Sequence, residues 1–272
     1  MSNGFSTATI TIELTERRAI VTGGASGIGK ATAFALAEAG AQVVVTDIDE
    51  AGGANVAAAI GGSFAVLDVS DPAAWDRVVS TAGPFDIAFL NAGISTNQGL
   101  PISDKNPITN LTDEAYRRIM SINLDGVVYG ARAVLPGMLA RGRGHIAGVS
   151  SLAGLRALPT AGGYGASKAA ASHMLDAIRF DLEPRGVQVT NITPGFVRTP
   201  LTDRNRYRMP FLMDVDRAAE IVVDGLERQR REIHFPKPLS WTVKTLRVLP
   251  YPLYQWIIRR ATGDRQKAHG NR

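Results

Sequence analysis

Thr22-Gly-Gly-Ala-Ser-Gly-Ile-Gly29 is the stretch on which the reading of the chain turns. Before it, Arg18-Ala-Ile-Val-Thr22 has the apolar, β-branched character of a strand. After it, Ile28 to Ala39 is Ala-rich with helical spacing, and Gly40 ends it. Gln42-Val-Val-Val-Thr46 then forms a continuous apolar run of the kind buried on both faces of a sheet. Strand, glycine turn, helix and second strand make one βαβ unit. The same alternation continues outward, with helical patterns near 49–60, 72–82, 112–139, 162–183 and 215–230. Further strands fall near 63–67, 85–90, 144–149, 187–193 and 232–235.

This alternation predicts the α/β class: a single doubly wound Rossmann-type domain, its parallel β-sheet flanked by helices on both faces. Its expected bounds are 14–235, with a substrate lid at about 200–213. Residues 1–13 read as an N-terminal extension and 236–272 as a basic, aromatic C-terminal extension. The chain has 272 residues and no cysteine. No thiol nucleophile, zinc–thiolate site or disulfide framework is therefore available, and no metal is expected. The start of the chain does not read as a signal peptide, and no run of 18 uncharged apolar residues is seen. The expected location is cytoplasmic.

The glycine turn has a physical use. Small residues let the backbone approach a pyrophosphate, and the helix behind it offers unpaired N–H groups and the positive end of its dipole. The spacing Gly23-x3-Gly27-x-Gly29 departs from G-x-G-x-x-G, and a glycine turn also serves as a plain tight connection. Asp47 weighs toward the first use. It closes the second strand 18 residues after Gly29, where a carboxylate can accept from adenosine ribose hydroxyls. The same charge would repel a 2′-phosphate, which favours NAD over NADP. Ser26, where a compensating cation would stand, is neutral, and Lys30 is the residue that argues the other way. Asp47 also reads as a turn residue in Asp47-Ile-Asp49-Glu50. Asp68, at the end of the third strand before Val69, can approach the adenine edge or cap a turn before Pro72.

Tyr164-Gly-Ala-Ser-Lys168 places Tyr and Lys four apart, on one face of a helix. A tyrosine with its ordinary pKa near 10 is a poor base at neutral pH, and a fixed ammonium stabilises its phenolate. Ser151 lies 13 residues earlier, just past an apolar strand, at the carboxyl edge where ligands bind to parallel sheets. It can donate to a substrate oxygen or cap a helix, and Ser150 competes for the role. No G-x-S-x-G elbow is present, and the four histidines show no metal-ligand spacing.

Together these residues resemble the short-chain dehydrogenase/reductase family in its common single-domain form. Six features match in order: TGGASGIG at 22–29, Asp47, LNAG at 90–93, Asn123 in SINLDG, the Ser151/Tyr164/Lys168 set, and PGFVRT at 194–199. The resemblance covers roughly 14–235. It implies hydride exchange between nicotinamide and a secondary alcohol or ketone, with Asn123, Ser151, Tyr164 and Lys168 as the catalytic set. Tyr164 would move the proton and Ser151 would steady the oxygen. Asn123 would distort its helix so that a backbone carbonyl holds a relay water. The implied cofactor set is Gly23, Ser26, Gly27, Ile28, Gly29, Asp47, Asp68, Val69, Asn91 and Gly93, then Tyr164, Lys168, Pro194, Gly195, Val197 and Thr199. Pro194, Gly195 and Val197 would frame the nicotinamide, with Thr199 on its carboxamide. Leu90 departs from the family's frequent Asn, and Thr96 to Asn110 is longer than many members need. A homotetramer or dimer is the family expectation. An idle NAD-binding sensor or scaffold is the alternative function, and an epimerase or dehydratase a third.

The substrate and the tail are read from composition. Leu201 to Met213 mixes apolar side chains with Arg204, Arg206 and Arg208, which suits an apolar substrate bearing an acidic group or arginines that merely face water. Residues 1–197 carry 14 Lys+Arg and 17 Asp+Glu, whereas 198–272 carry 16 and 8. The excess reads as a solvated basic tail, or as the mark of an anionic partner, with no nucleic acid expected. After Phe235, Trp241, Tyr251, Tyr254 and Trp256 stand among aliphatics and cations. They suit packing on a subunit or over the active site first, and peripheral membrane contact second. Pro250 and Pro252 predict two short helices there.

Overall fold

The computed structural model describes residues 11–95, 111–158, 161–203, 205 and 209–269, with 261–269 described by backbone alone. The strands are β1 (Arg18–Thr22), β2 (Gln42–Asp47), β3 (Ser63–Val66), β4 (Ile87–Leu90), β5 (Gly144–Val149), β6 (Val187–Pro194) and β7 (Glu232–Phe235). They form one parallel sheet in the order β3-β2-β1-β4-β5-β6-β7. Successive side chains leave a strand on opposite faces, so the all-apolar runs seen in the sequence feed two cores. Ile20 of β1, Val44 of β2 and Ala88 of β4 enter one core, with Trp75, Val134 and Met138. Val21, Val45 and Phe89 enter the other, with Leu36, Val222 and Leu226. The helices covering these faces include α1 (Gly27–Glu38), α2 (Glu50–Ala59) and α3 (Pro72–Ala82).

The pattern at 112–139 predicts one helix, and the backbone divides it. Helix α4 (Asp113–Met120) passes through a π-helical turn, Ser121–Asp125, into α5 (Gly126–Ala140). Next come the short α6 (Leu152–Leu155), the 21-residue α7 (Gly162–Leu182), α8 (Pro200–Asp203) and α9 (Val215–Glu227). Beyond β7 the chain makes α10 (Lys237–Val248) and α11 (Tyr251–His269), separated at the prolines. The break is where expected, but α11 is 19 residues long and not short. At the other end, Ile12 N donates to Glu227 O at 2.7 Å and Leu14 is buried, so residues 12–14 lie against α9.

Strand order reverses between β1 and β4, the neighbours from which the chain winds outward in both directions. At such a switch point the connections leave the sheet to opposite faces and open a crevice beyond the carboxyl ends of the strands. The glycine turn follows β1 there, and Asn91-Ala-Gly93 follows β4.

Candidate active site

A cleft of about 510 Å³ occupies this crevice. The glycine turn forms one wall. Gly23 has φ +65, and a Cβ on it would approach Ala92 Cα to 2.9 Å. A Cβ on Gly29 would collide with Gly23 O and come within 2.6 Å of Asn91 Nδ2. Gly23 therefore keeps the turn against the next loop, and Gly29 lets α1 start directly behind it. Gly29 itself is buried and does not line the cleft. Ser26 precedes α1 without a side-chain cap, and the first turn of the helix has no acid. The helix thus presents its orphan N–H groups and positive dipole end to the cleft.

Asn91 locks the two central strands together. Its backbone N donates to Thr22 Oγ1 at 2.9 Å and its Nδ2 to Thr22 O at 3.0 Å. Asp47 reaches across from β2, with Oδ2 accepting from Ala25 N and Oδ1 from Asp49 N, each at 3.0 Å. It is both a turn residue and a cleft residue, as each reading of the sequence had it. Asp68 likewise accepts from Ser70 N at 2.9 Å and Ser70 Oγ at 2.6 Å while facing the cleft. Lys30 is exposed and is not among the cleft residues.

Tyr164, Lys168 and Ser151 line the same cleft. Lys168 is 3% exposed, and its Nζ donates to Val149 O at 2.8 Å. Burial pushes its pKa down to about 8. The two serines at the end of β5 separate cleanly. Ser150 Oγ donates to Lys168 O at 2.7 Å and accepts from Ser172 Oγ at 3.0 Å, which ties β5 to α7. Ser151 Oγ accepts from Ala153 N at 3.1 Å, capping α6, and its own hydrogen is left to donate.

Asn123 is fully buried in the π turn and sits behind the cleft wall. Its Oδ1 accepts from Ile94 N at 2.8 Å, and its Nδ2 donates to Ile94 O at 2.9 Å and Ser167 Oγ at 3.0 Å. It thereby fixes the end of the β4 loop beside Lys168. A Cβ on Gly93 would lie 3.1 Å from Lys168 Nζ and 3.2 Å from Asn123 Oδ1.

Ile28, Val69, Pro194, Gly195, Val197 and Thr199 also line the cleft. Sequence reasoning missed Thr202, whose Oγ1 donates to Val197 O at 2.6 Å and accepts from Thr199 N at 3.0 Å. Its spacing three residues after Thr199 was the available signal. Ile48 and Arg118 also line the cleft and were missed. Met213 pairs with Phe196 and Arg198, closing the ends of the expected lid on each other. Arg204, Arg206 and Arg208 lie outside the described residues, as does the stretch from Thr96 to Asn110. Among the described residues no group of three or more His, Asp or Glu could hold a metal ion, and no helix is long and apolar enough to cross a membrane.

A doubly wound sheet with its cleft at the switch point is a dinucleotide-binding architecture. The chain belongs to the short chain dehydrogenase family, whose model matches residues 17–209. That family is one of nicotinamide-dependent oxidoreductases. An uncharacterized oxidoreductase of Myxococcus xanthus (strain DK1622) is 36% identical, over 91% of this chain and 98% of that one. The NADP-dependent (R)-specific alcohol dehydrogenase of Lentilactobacillus kefiri is 33% identical, over 85% of this chain and 89% of its own. A solved short chain dehydrogenase/reductase family protein superposes with a TM-score of 0.74 at 27% identity, covering 82% of this chain and 97% of that one.

Proposed function

We propose that the protein is an NAD-dependent oxidoreductase that interconverts a secondary alcohol and a ketone, with Tyr164 as general acid/base. The observation that carries the reading is the placement of Tyr164, Lys168 and Ser151 in one cleft with the glycine turn and Asp47. A binding module needs the second pair of features and has no use for the first three.

The residues present fit a nicotinamide dinucleotide. The uncapped start of α1 and the side-chain-free turn suit its pyrophosphate. Asp47 is held by two backbone amides, and each carboxylate oxygen keeps a lone pair for a ribose hydroxyl. Its charge disfavours a 2′-phosphate, and the exposed Lys30 does not offset it. Asp68 and Val69 would border the adenine end, while Pro194, Gly195, Val197 and Thr199 would hold the nicotinamide end. When bound, the dinucleotide supplies the hydride chemistry.

The chain's own groups handle the proton. Tyr164 gives its proton to the ketone oxygen in reduction and takes one from the alcohol in oxidation. The Lys168 ammonium lies one helical turn further along α7 and stabilises the phenolate between those events. Ser151 keeps its Ala153 contact and donates its hydroxyl hydrogen to the substrate oxygen. Asn123 holds the Ile94 backbone, and the π turn loosens the helical ladder around its own carbonyl so that a relay water can bind there.

The test is a coupled screen of secondary alcohols and ketones with NAD and NADP, followed by Tyr164→Phe on the best substrate. Turnover should be NAD-linked and should fall by about two to four orders of magnitude in the variant, with NAD binding retained. Undiminished turnover in Tyr164→Phe would sink the mechanism, whereas NAD binding with no turnover of any alcohol or ketone would favour the idle-module alternative.

A further inference from the structure

We propose that the outer face of α10 and α11 docks on an anionic lipid surface, with its helices lying in the plane of the interface. Neither helix hangs loose. On the inner side Ser240 and Val243 are buried, and Leu239 packs against Gly195, where an added Cβ would meet Leu239 Cδ2 at 2.8 Å. Lys244 Nζ lies 3.3 Å from Glu232 Oε2. Tyr254 is 5% exposed, its hydroxyl donates to Ala157 O, and the Arg156 guanidinium stacks 4.1 Å over its ring.

With the inner residues so engaged, the outer ones are left exposed among the described residues. Lys237, Trp241 and Val248 recur at helical spacing along α10 and share a face. Trp241 is 70% exposed and Val248 79%. On α11, Leu253, Trp256 and Arg260 do the same, and the Arg260 guanidinium lies 4.4 Å from the Trp256 ring centroid. Tyr251 is exposed between the two. Residues 236–272 hold eight Lys/Arg and one Asp.

The charge selects the occupant. In a twofold contact between two copies, each basic segment would face another, and like charges in apposition are repulsive. An anionic partner meets them instead. A nucleic acid would answer the cations but offers little to Val248 and Leu253. Acyl chains below an anionic headgroup layer take up the aliphatics, the tryptophans sit at the boundary, and the cations stay among the headgroups. This surface is independent of the oxidoreductase reading.

The full-length protein should co-sediment at low salt with phosphatidylcholine vesicles containing phosphatidylglycerol, and not with phosphatidylcholine alone. Tryptophan emission should shift to the blue. Of the three tryptophans Trp75 is buried, so the shift must come from Trp241 and Trp256. Trp241→Ser with Trp256→Ser should abolish binding. Arg259→Gln with Arg260→Gln should weaken it about thirty-fold, at roughly fivefold per cation. If the tryptophan variant melts early, the arginine variant and the loss of binding with salt carry the test. The proposal is overturned by failure to bind phosphatidylglycerol vesicles at low salt. It is equally overturned by tryptophan-dependent self-association in sedimentation velocity, or by duplex DNA binding through these cations, without vesicle binding.

Discussion

His145 is the second residue of β5, the strand whose far end supplies Val149 O to Lys168 and then the two serines. It is 2% exposed, between β4 and β6. Thr190 Oγ1 donates to Arg230 O at 2.6 Å, so it must accept at its 2.7 Å contact with His145 Nε2. Nε2 therefore carries the imidazole hydrogen. Nδ1 has no hydrogen-bond partner among the described residues. A second proton there would create a buried, unpaired charge, and burial accordingly pushes the pKa from 6.5 down to about 4. The unfolded chain then takes up a proton near pH 6.5, while the folded chain takes it up only near 4. Stability from this residue is whole above about pH 6.5 and is lost as pH falls, by about 2 kcal/mol at pH 5 and about 3 kcal/mol near pH 4. Urea unfolding of the native protein and of His145→Gln at pH 7 and pH 5 measures it. Changes from the carboxylates are common to both proteins and cancel in the comparison. The native protein should lose about 2 kcal/mol more than the variant, about a thirtyfold difference in the unfolding constant. Equal losses in the two proteins would show that His145 is protonated in the fold or is reached by water.

Two further outcomes concern the cleft. Asp47→Ala should weaken NAD binding about tenfold or more, through lost charge-assisted hydrogen bonds, and bring the NAD and NADP dissociation constants together. An unchanged ratio by calorimetry would remove Asp47 from cofactor choice. Lys168 loses its proton as pH rises through about 8, and with it the charge that steadies the Tyr164 phenolate. Ketone reduction should fall through that pH, and Lys168→Met should lower turnover by about two orders of magnitude and erase the limb. A limb that survives the substitution belongs to another group.

Much of this architecture was legible because the physical demand falls on residue type. Only runs such as Gln42–Thr46 suit a strand covered on both faces, and only residues without side chains fit where Gly29 meets Gly23 O. The choice between Ser150 and Ser151 was not legible. It depends on which way each hydroxyl leaves the end of β5, which the neighbouring α7 decides through Lys168 O and Ser172. Asp47 could not be read as turn or site, because its carboxylate serves the turn on the way to facing the cleft. The π turn was hidden for a different reason. Apolar periodicity reports which residues are buried, and one extra residue within 112–139 leaves apolar stripes on both sides of it. Ile48 and Arg118 carry no distinguishing motif, and only the closing of the chain brings them to the cleft.

The π turn at Ser121–Asp125 also acts as a phase adjuster between two helices that must answer to different neighbours. Each α-helical residue turns the chain by about 100°, so a surplus residue in an unbroken helix would swing everything after it, and the wide π turn takes that residue up. Ile119 of α4 is buried before the turn, and Val127, Ala131, Val134 and Met138 are buried after it. Removing a single residue between them would let the ladder run straight. Ile119 and Val127 would then stand seven residues apart, close to two turns of α-helix, so α5 would keep its buried face while the Asn123 anchor would be lost.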